Sequence, residues 1–186
     1  MAVEQMIVLG FAGSLRKGSY NKALLRAAAE LMPKNAKLEI FEIDGIPLYN
    51  QDLENDMPAK VKEFKEKIRQ ADAILIATPE YNYSFPGVLK NAIDWASRPP
   101  GDNPFEGKPA ALMSASIGTL GGVRAQYQLR QVLVTLNMHP INRPEVMVPL
   151  AGEKFDREGK LIDERTRAKV RELLENLVVW TRKLKC

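Results

Sequence analysis

Met6-Ile7-Val8-Leu9-Gly10-Phe11 runs directly into Ala12-Gly13-Ser14-Leu15-Arg16-Lys17-Gly18-Ser19. The first six residues are apolar at odd and even positions alike, the pattern of a strand buried on both faces of a parallel sheet. The next eight are mostly small, polar or charged. Residues 20–32 then set Leu24, Ala28 and Leu31 on one helical face, and Pro33 stops the helix. A buried strand, a glycine- and serine-rich loop and an amphipathic helix are the opening of a strand–helix–strand unit.

The same alternation continues along the chain. Residues 37–43 read as a second strand. Residues 59–70 form a charged helix with Val61, Phe64 and Ile68 inward. Ala73-Ile74-Leu75-Ile76-Ala77, within residues 72–78, is the clearest central strand. A helix over residues 86–97 carries Val88, Leu89, Ala92 and Ile93 inward, with proline in its first turn. Residues 108–114 make a fourth strand. A glycine loop, 118–122, precedes a helix with Leu129, Val132, Leu133 and Leu136 on one face. Residues 140–150 hold a short fifth strand broken by prolines, and residues 162–183 form the last helix. Strands alternating with helices predict a five-stranded parallel sheet between two helical layers, with residues 1–186 as one domain.

Composition excludes several classes. The chain has 186 residues, 45% hydrophobic and 27% charged, ordinary for a globular protein and unlike disorder, collagen or coiled coil. The one cysteine, Cys186, can make neither an internal disulfide nor a cysteine-based metal site. No apolar run is long enough to span a membrane, and Met1-Ala2-Val3-Glu4-Gln5 lacks the features of a signal peptide, so a cytoplasmic protein is expected. The 27 basic and 23 acidic residues give a net charge of +4. The positives are scattered and not interleaved with aromatics, so attraction to a phosphorylated cofactor is a better reading than nucleic-acid binding.

In open sheets of this kind a ligand sits beyond the carboxyl ends of the strands, near the switch in winding direction. Three loops meet there. In the first, the start of a helix offers unpaired N–H groups, while Ser14, Ser19 and Asn21 add neutral donors and Arg16 a charged one, a set suited to phosphate. Gly13 and Gly18 have P-loop spacing, but Ser19-Tyr20 stands where Lys-Ser/Thr is required, so nucleoside triphosphate hydrolysis is not expected. The dinucleotide pattern G-x-G-x-x-G is absent. A terminal monophosphate held without metal remains. The second loop, Thr78-Pro79-Glu80-Tyr81-Asn82-Tyr83-Ser84-Phe85-Pro86-Gly87, carries aromatics that can cover a flat ligand. The third, Ser114-Ala115-Ser116-Ile117-Gly118-Thr119-Leu120-Gly121-Gly122, has the small residues that let main chain approach a ring. A monophosphate at the first loop and a planar ring between the other two describe the shape of flavin mononucleotide, FMN.

The first loop with Tyr20-Asn21, and Pro79-Glu80-Tyr81-Asn82-Tyr83-Ser84 continuing through Pro86-Gly87 and Leu89-Lys90-Asn91-Ala92-Ile93-Asp94-Trp95, resemble the NADPH-dependent FMN reductase family, in particular its bacterial chromate and quinone reductases and related azoreductases. The resemblance covers nearly the whole chain in element order. It implies a flavodoxin-like fold with strand order 2-1-3-4-5, non-covalent FMN, NADPH or NADH as co-substrate, and a homodimer or tetramer. Carried over by motif, Ser14, Arg16, Ser19, Tyr20 and Asn21 hold the phosphate. Pro79, Glu80, Tyr81 and Asn82 contact the ring, partly through main chain, and Ser114, Ser116 and Gly118 fall at the ring position.

The implied activity is transfer of reducing equivalents from the nicotinamide to FMN and onward, by a ping-pong scheme, to quinones, flavins, azo compounds or chromate. No nucleophile–base triad and no metal-ligand spacing can be assembled, which suits flavin-centred chemistry. His139, the lone histidine, reads as structural. Tyr81, Tyr83 and Arg98 are candidate substrate contacts, Arg98 equally as a cation at a helix end. Gln126, Tyr127 and Arg130, outside the apolar face of their helix, read either as contacts to a second subunit or as a solvated face. Two other readings stay open: a flavodoxin-type electron carrier, disfavoured by the basic charge and by Arg16, and a regulatory module that retains FMN without turnover.

Overall fold

The strands with two apolar faces occupy the middle of the sheet, and the one that alternates lies at its edge. The computed structural model describes residues 5–185; Met1-Ala2-Val3-Glu4 and Cys186 lie outside the described residues. Strands β1 (Met6–Ala12), β3 (Ala73–Ala77) and β4 (Pro109–Ala115) are buried almost throughout, whereas β2 (Ala36–Phe41) alternates buried and exposed. All neighbours are parallel. Val8 pairs with Leu38 on one side and Ala73 on the other, and Ile76 pairs with Leu112. The order is β2-β1-β3-β4-β5, as expected.

The expected five strands are six. Residues 140–150 do not form one broken strand. Strand β5 (His139–Pro140) pairs with Pro109 and Ala110 at the start of β4, and β6 (Val146–Val148) pairs with Met113, Ser114 and Ala115 at its end. Between them the chain leaves the sheet, because Pro144 has no N–H to give to a ladder. The excursion is pinned instead from the side: the Arg130 guanidinium donates to the Ile141 carbonyl at 3.1 Å and the Asn176 amide to that of Arg143 at 3.2 Å. Two segments therefore share the fifth position of one sheet.

Two helical layers cover the sheet. Helices α1 (Tyr20–Leu31) and α5 (Glu164–Lys185) pack on one face, burying Leu24, Ala28, Leu173 and Leu177 against Val8, Leu75 and Met113. Helices α2 (Ala59–Gln70), α3 (Gly87–Ala96) and α4 (Val123–Thr135) pack on the other, where Phe64, Leu89, Ile93 and Leu129 meet Leu9, Phe11, Ile74 and Ile76. The residues buried on each helix recur three and four apart, while neighbouring residues of a strand go to opposite layers. His139 takes a structural place: its N–H donates to the Lys108 carbonyl and its carbonyl accepts from the Trp180 indole, both at 2.9 Å. No helix among the described residues is long and apolar enough to cross a membrane.

Winding reverses between β1 and β3, so the loops that leave β1, β3 and β4 open at one edge. Their first residues are still tied to the sheet. The N–H of Gly13 donates to the Ala77 carbonyl at 2.9 Å, that of Thr78 to Met113 at 2.9 Å and that of Ser116 to Val148 at 3.0 Å.

Candidate functional site

At that edge the three loops enclose one cavity of about 440 Å³, lined by Ser14, Arg16, Ser19, Tyr20, Asn21, Pro79, Glu80, Tyr81, Ala115, Ser116 and Ile117. A volume in the few-hundred Å³ range suits a mononucleotide-sized ligand. The five residues assigned to phosphate all line it. Tyr20 and Asn21 are the first helical positions of α1, where N–H groups have no carbonyl one turn back. Ser19 is the N-cap, as expected, but its hydroxyl accepts from the Lys22 N–H only at 3.4 Å, so its own proton remains free to face an anion. Ser14 is buried; Arg16 is exposed, with its guanidinium 5.8 Å from the centroid of the Tyr20 ring.

Asn21 differs from expectation. Its side-chain amide donates to the Ala115 carbonyl and accepts from the Ala115 N–H, both at 2.9 Å. The buried side chain thus welds the start of α1 to the end of β4 and is not a free phosphate donor. Its main-chain N–H keeps the helical position that the expectation needs.

The second loop supplies Pro79, Glu80 and Tyr81 to the cavity wall, but not Asn82. Residues 81–84 form a tight turn: the N–H of Tyr81 donates to the Ser84 carbonyl at 2.8 Å and that of Ser84 to Tyr81 at 3.0 Å. Asn82 and Tyr83 at its tip have φ of 50° and 67°, the left-handed pair of a type I′ turn. The Glu80 side chain points elsewhere. Its carboxylate accepts from the Arg124 main-chain N–H at 3.0 Å and from the Arg124 guanidinium at 2.8 Å, so only the main chain of Glu80 remains for a ring. That carboxylate also holds the Arg124 pKa above its ordinary value.

The third loop is corrected most. Ser114, expected at the ring, is fully buried. Its hydroxyl donates to the Gly121 carbonyl at 2.5 Å and accepts from the Gln126 amide at 2.8 Å. Within β4, which ends one residue beyond its expected end, period two sends Ser114 to the α4 layer and Ala115 toward α1. Gly118 stands outside the cavity wall, its carbonyl accepting from the Leu150 N–H at 3.1 Å. Ser116 does line the cavity. Ala115 and Ile117 take the places of the other two, and Ile117 is 75% exposed at the mouth.

Arg98, one of the candidate substrate contacts, is not brought to the cavity. It follows the C-terminus of α3, which starts at the loop edge and runs ten residues back along the sheet, and its carbonyl accepts from the buried Lys65 ammonium. Of the two readings for Arg98, the helix-end cation fits this place. Tyr83 is exposed and lies under the Arg124 guanidinium, 4.0 Å from its ring centroid, rather than in the cavity. Gln126 has 0% exposure and bonds Ser114 and the Val146 carbonyl, so it cannot touch a second subunit and is no solvated face. Arg130 bonds the Ile141 carbonyl, and the half-exposed Tyr127 bonds Glu145 at 3.2 Å.

Arg124 and Gln128, both against the second loop, were not singled out by the sequence. The available signal was Gly122: a helix whose N-cap has no side chain leaves its first N–H groups to water or to another element, here Glu80. The residues present fit FMN: hydroxyl and N–H donors plus Arg16 come from the first loop and the start of α1, and Pro79, Tyr81 and Ile117 add apolar wall from the second and third. Among the described residues no group of three or more His, Cys, Asp or Glu could hold a metal ion.

Residues 6–153 match the NADPH-dependent FMN reductase family. The chain is 54% identical over 179 residues to an NAD(P)H-dependent FMN reductase of Pseudomonas aeruginosa, covering 96% of each. It is 41% identical over 182 residues to a 2-hydroxy-1,4-benzoquinone reductase of a Burkholderia species, covering 98% of each. Among solved structures, the flavoenzyme NAD(P)H:(acceptor) oxidoreductase of Paracoccus denitrificans superposes with a TM-score of 0.88 at 36% identity, over 96% of this chain and 98% of that one. Such relatives set aside the electron-carrier and regulatory readings. The chain belongs to the NADPH-dependent FMN reductase family and is an FMN-dependent NAD(P)H oxidoreductase.

Proposed function

We propose that FMN occupies the cavity at the carboxyl edge of the sheet and that the enzyme passes reducing equivalents from NAD(P)H to a quinone there. The convergence of three loops on one cavity, with Ser14, Arg16, Ser19 and the start of α1 in its wall, carries this reading. Bound FMN supplies the electron transfer; the protein supplies position, electrostatics and exclusion of water. Ser14, Ser19, Arg16 and the N–H groups that open α1 hold the phosphate, and the positive end of the α1 dipole adds to them. Asn21 acts at one remove, by fixing α1 to β4. Main chain of Pro79, Glu80 and Tyr81 would face the ring; Pro79 has no N–H and that of Tyr81 goes to the Ser84 carbonyl, so the Glu80 N–H is the one placed to stabilise developing negative charge. Ser116 and Ile117 close the opposite side.

Quinone is the acceptor class to which the reading commits. Its supports are the exposed aromatic and aliphatic rim of Tyr81 and Ile117 and the name of the Burkholderia relative. Flavins, azo compounds and chromate are compared in the same assay. We read residues 1–186 as one domain, the assembly as a homodimer or tetramer that covers the exposed Ile117 and Leu120, and the setting as the cytoplasm, where reduced nicotinamide cofactors are made.

The test is a visible spectrum of the purified protein. A yellow flavin spectrum that bleaches with NADPH or NADH and returns on adding a benzoquinone is expected. Colourless protein that gains no flavin spectrum with added FMN overturns the reading.

A further inference from the structure

The start of α4 and the turn at residues 81–84 complete each other. The N-cap of α4, Gly122, sits at φ 87° and has no side chain to offer. The missing cap comes from Glu80, whose carboxylate takes the Arg124 N–H. The debt runs the other way as well. Asn82 and Tyr83 both adopt φ above +20°, a conformation uncommon for any residue with a side chain and rarer for a bulky one. Each such residue is strained and persists only when its surroundings hold it.

What holds it is on α4. The guanidinium of Arg124 donates to Glu80 on one side of the turn, and its flat face covers the Tyr83 ring at 4.0 Å. One helical turn on, the Gln128 amide donates to the Tyr83 carbonyl at 2.8 Å. These contacts lie outside the cavity, yet the main chain they fix leads directly into Glu80 and Tyr81, which line it. The two hydrogen bonds inside the turn use the N–H groups of Tyr81 and Ser84 and leave that of Glu80, which lines the cavity, outside the turn's own bonding.

We propose that Arg124 and Gln128 are positioning residues of the flavin site: through Glu80 and Tyr83 they hold the 80–84 main chain in its left-handed turn and so set its polar contacts to the ring. The proposal rests on FMN occupying the cavity described above.

The test uses the full-length protein and Arg124→Ala, Arg124→Lys and Gln128→Ala variants. FMN affinity is read by quenching of flavin fluorescence, and the midpoint potential of bound FMN is read at saturating FMN, where a purely structural role would not move it. Loss of the clamp is expected to weaken FMN binding about tenfold in Arg124→Ala and about threefold in Gln128→Ala, one left-handed residue's worth of strain or less. The midpoint potential should shift in both. Arg124→Lys should restore part of the loss, because it keeps the Glu80 pair without the flat stacking surface. Should Arg124→Ala fold poorly, Gln128→Ala decides, since Gln128 is exposed and its side chain touches only the Tyr83 carbonyl among the contacts described. Parent-like affinity and potential in Gln128→Ala and in folded Arg124→Ala overturn the proposal. Failure of the parent protein to bind FMN overturns instead the functional reading beneath it.

Discussion

Gly122 shows how closely packed this edge is. A Cβ built on it would stand 2.7 Å from Ser114 Cβ and 2.9 Å from Ser114 Oγ, and its φ of 87° is strained for any L side chain. Ser114 cannot retreat, because its hydroxyl joins the Gly121 carbonyl to the Gln126 amide inside the protein. Gly122→Ala should therefore cost about 2 kcal/mol or more, the sum of a steric shift and a left-handed residue with a side chain. Urea unfolding checks this; an unchanged midpoint would show that the loop relaxes freely. Arg98 illustrates the opposite case. Its carbonyl holds Lys65, a contact any residue can make, and its side chain lies at the end of α3 remote from the loop edge. In Arg98→Ala we expect FMN affinity and the KM values for NAD(P)H and quinone to stay within about twofold of the parent, as for a helix-end charge screened by solvent. A severalfold rise in KM for NAD(P)H alone would return Arg98 to the substrate path.

Elements with strong periodicity were legible from sequence, and those defined by contacts across the fold were not. Ala73–Ala77 and the helices with apolar stripes stand where their patterns put them, because burial alone decides them; Val88, expected inward on α3, is the exception and is exposed. The fifth strand position could be recognised but not divided, since the split depends on Arg130 and Asn176 reaching the 141–143 carbonyls from other elements. Ser114 lies in its expected strand, but that strand is buried on both faces, so its pattern does not say which layer each side chain enters; Ser114 turns to the α4 layer, where Gly121 and Gln126 hold it. Helix α5 begins two residues after its expected start, and the reason is a cap. Asp163 accepts from the Thr166 N–H at 2.9 Å and the Thr166 hydroxyl at 2.5 Å, and pairs with Lys154 at 3.0 Å. The Thr166 hydroxyl first, then Lys154, lower the Asp163 pKa from 3.8 to about 2. A carboxyl depressed in the folded state stabilises fully above its ordinary value and loses that contribution as pH falls through the folded one. Between about pH 4 and pH 2 the parent should thus lose stability that Asp163→Asn, which cannot titrate, does not lose. At neutral pH Asp163→Ala should cost about 1 kcal/mol as a lost cap. Equal acid slopes for parent and Asp163→Asn in thermal melts would rule the Asp163 contribution out.

At the scale of the whole molecule, the site edge is read most directly from loop composition, since three loops of unusual make-up leave adjacent strands at the winding switch. Less legible was which atom of each loop faces inward; that is set by Asn21 joining α1 to β4 and by Glu80 capping α4. The layers of the α/β/α sandwich account for the helices α1 to α5, and among the described residues no second sheet stands beside the cavity to hold a nicotinamide nucleotide apart from it. Donor and acceptor are then expected to use one open face in turn. The mouth bordered by Tyr81 and Ile117 is the place where each would stack, so the oxidised nicotinamide has to leave before the quinone enters. Initial rates measured over a grid of NAD(P)H and benzoquinone concentrations should give parallel double-reciprocal lines, and high quinone should inhibit competitively against NAD(P)H by occupying the same face. Replacing Ile117 with Ala should alter the KM of both substrates together, because both contact the same rim. Intersecting lines, or a change in one KM without the other, would mean that the two substrates bind at separate places and that a second site exists beyond the three loops.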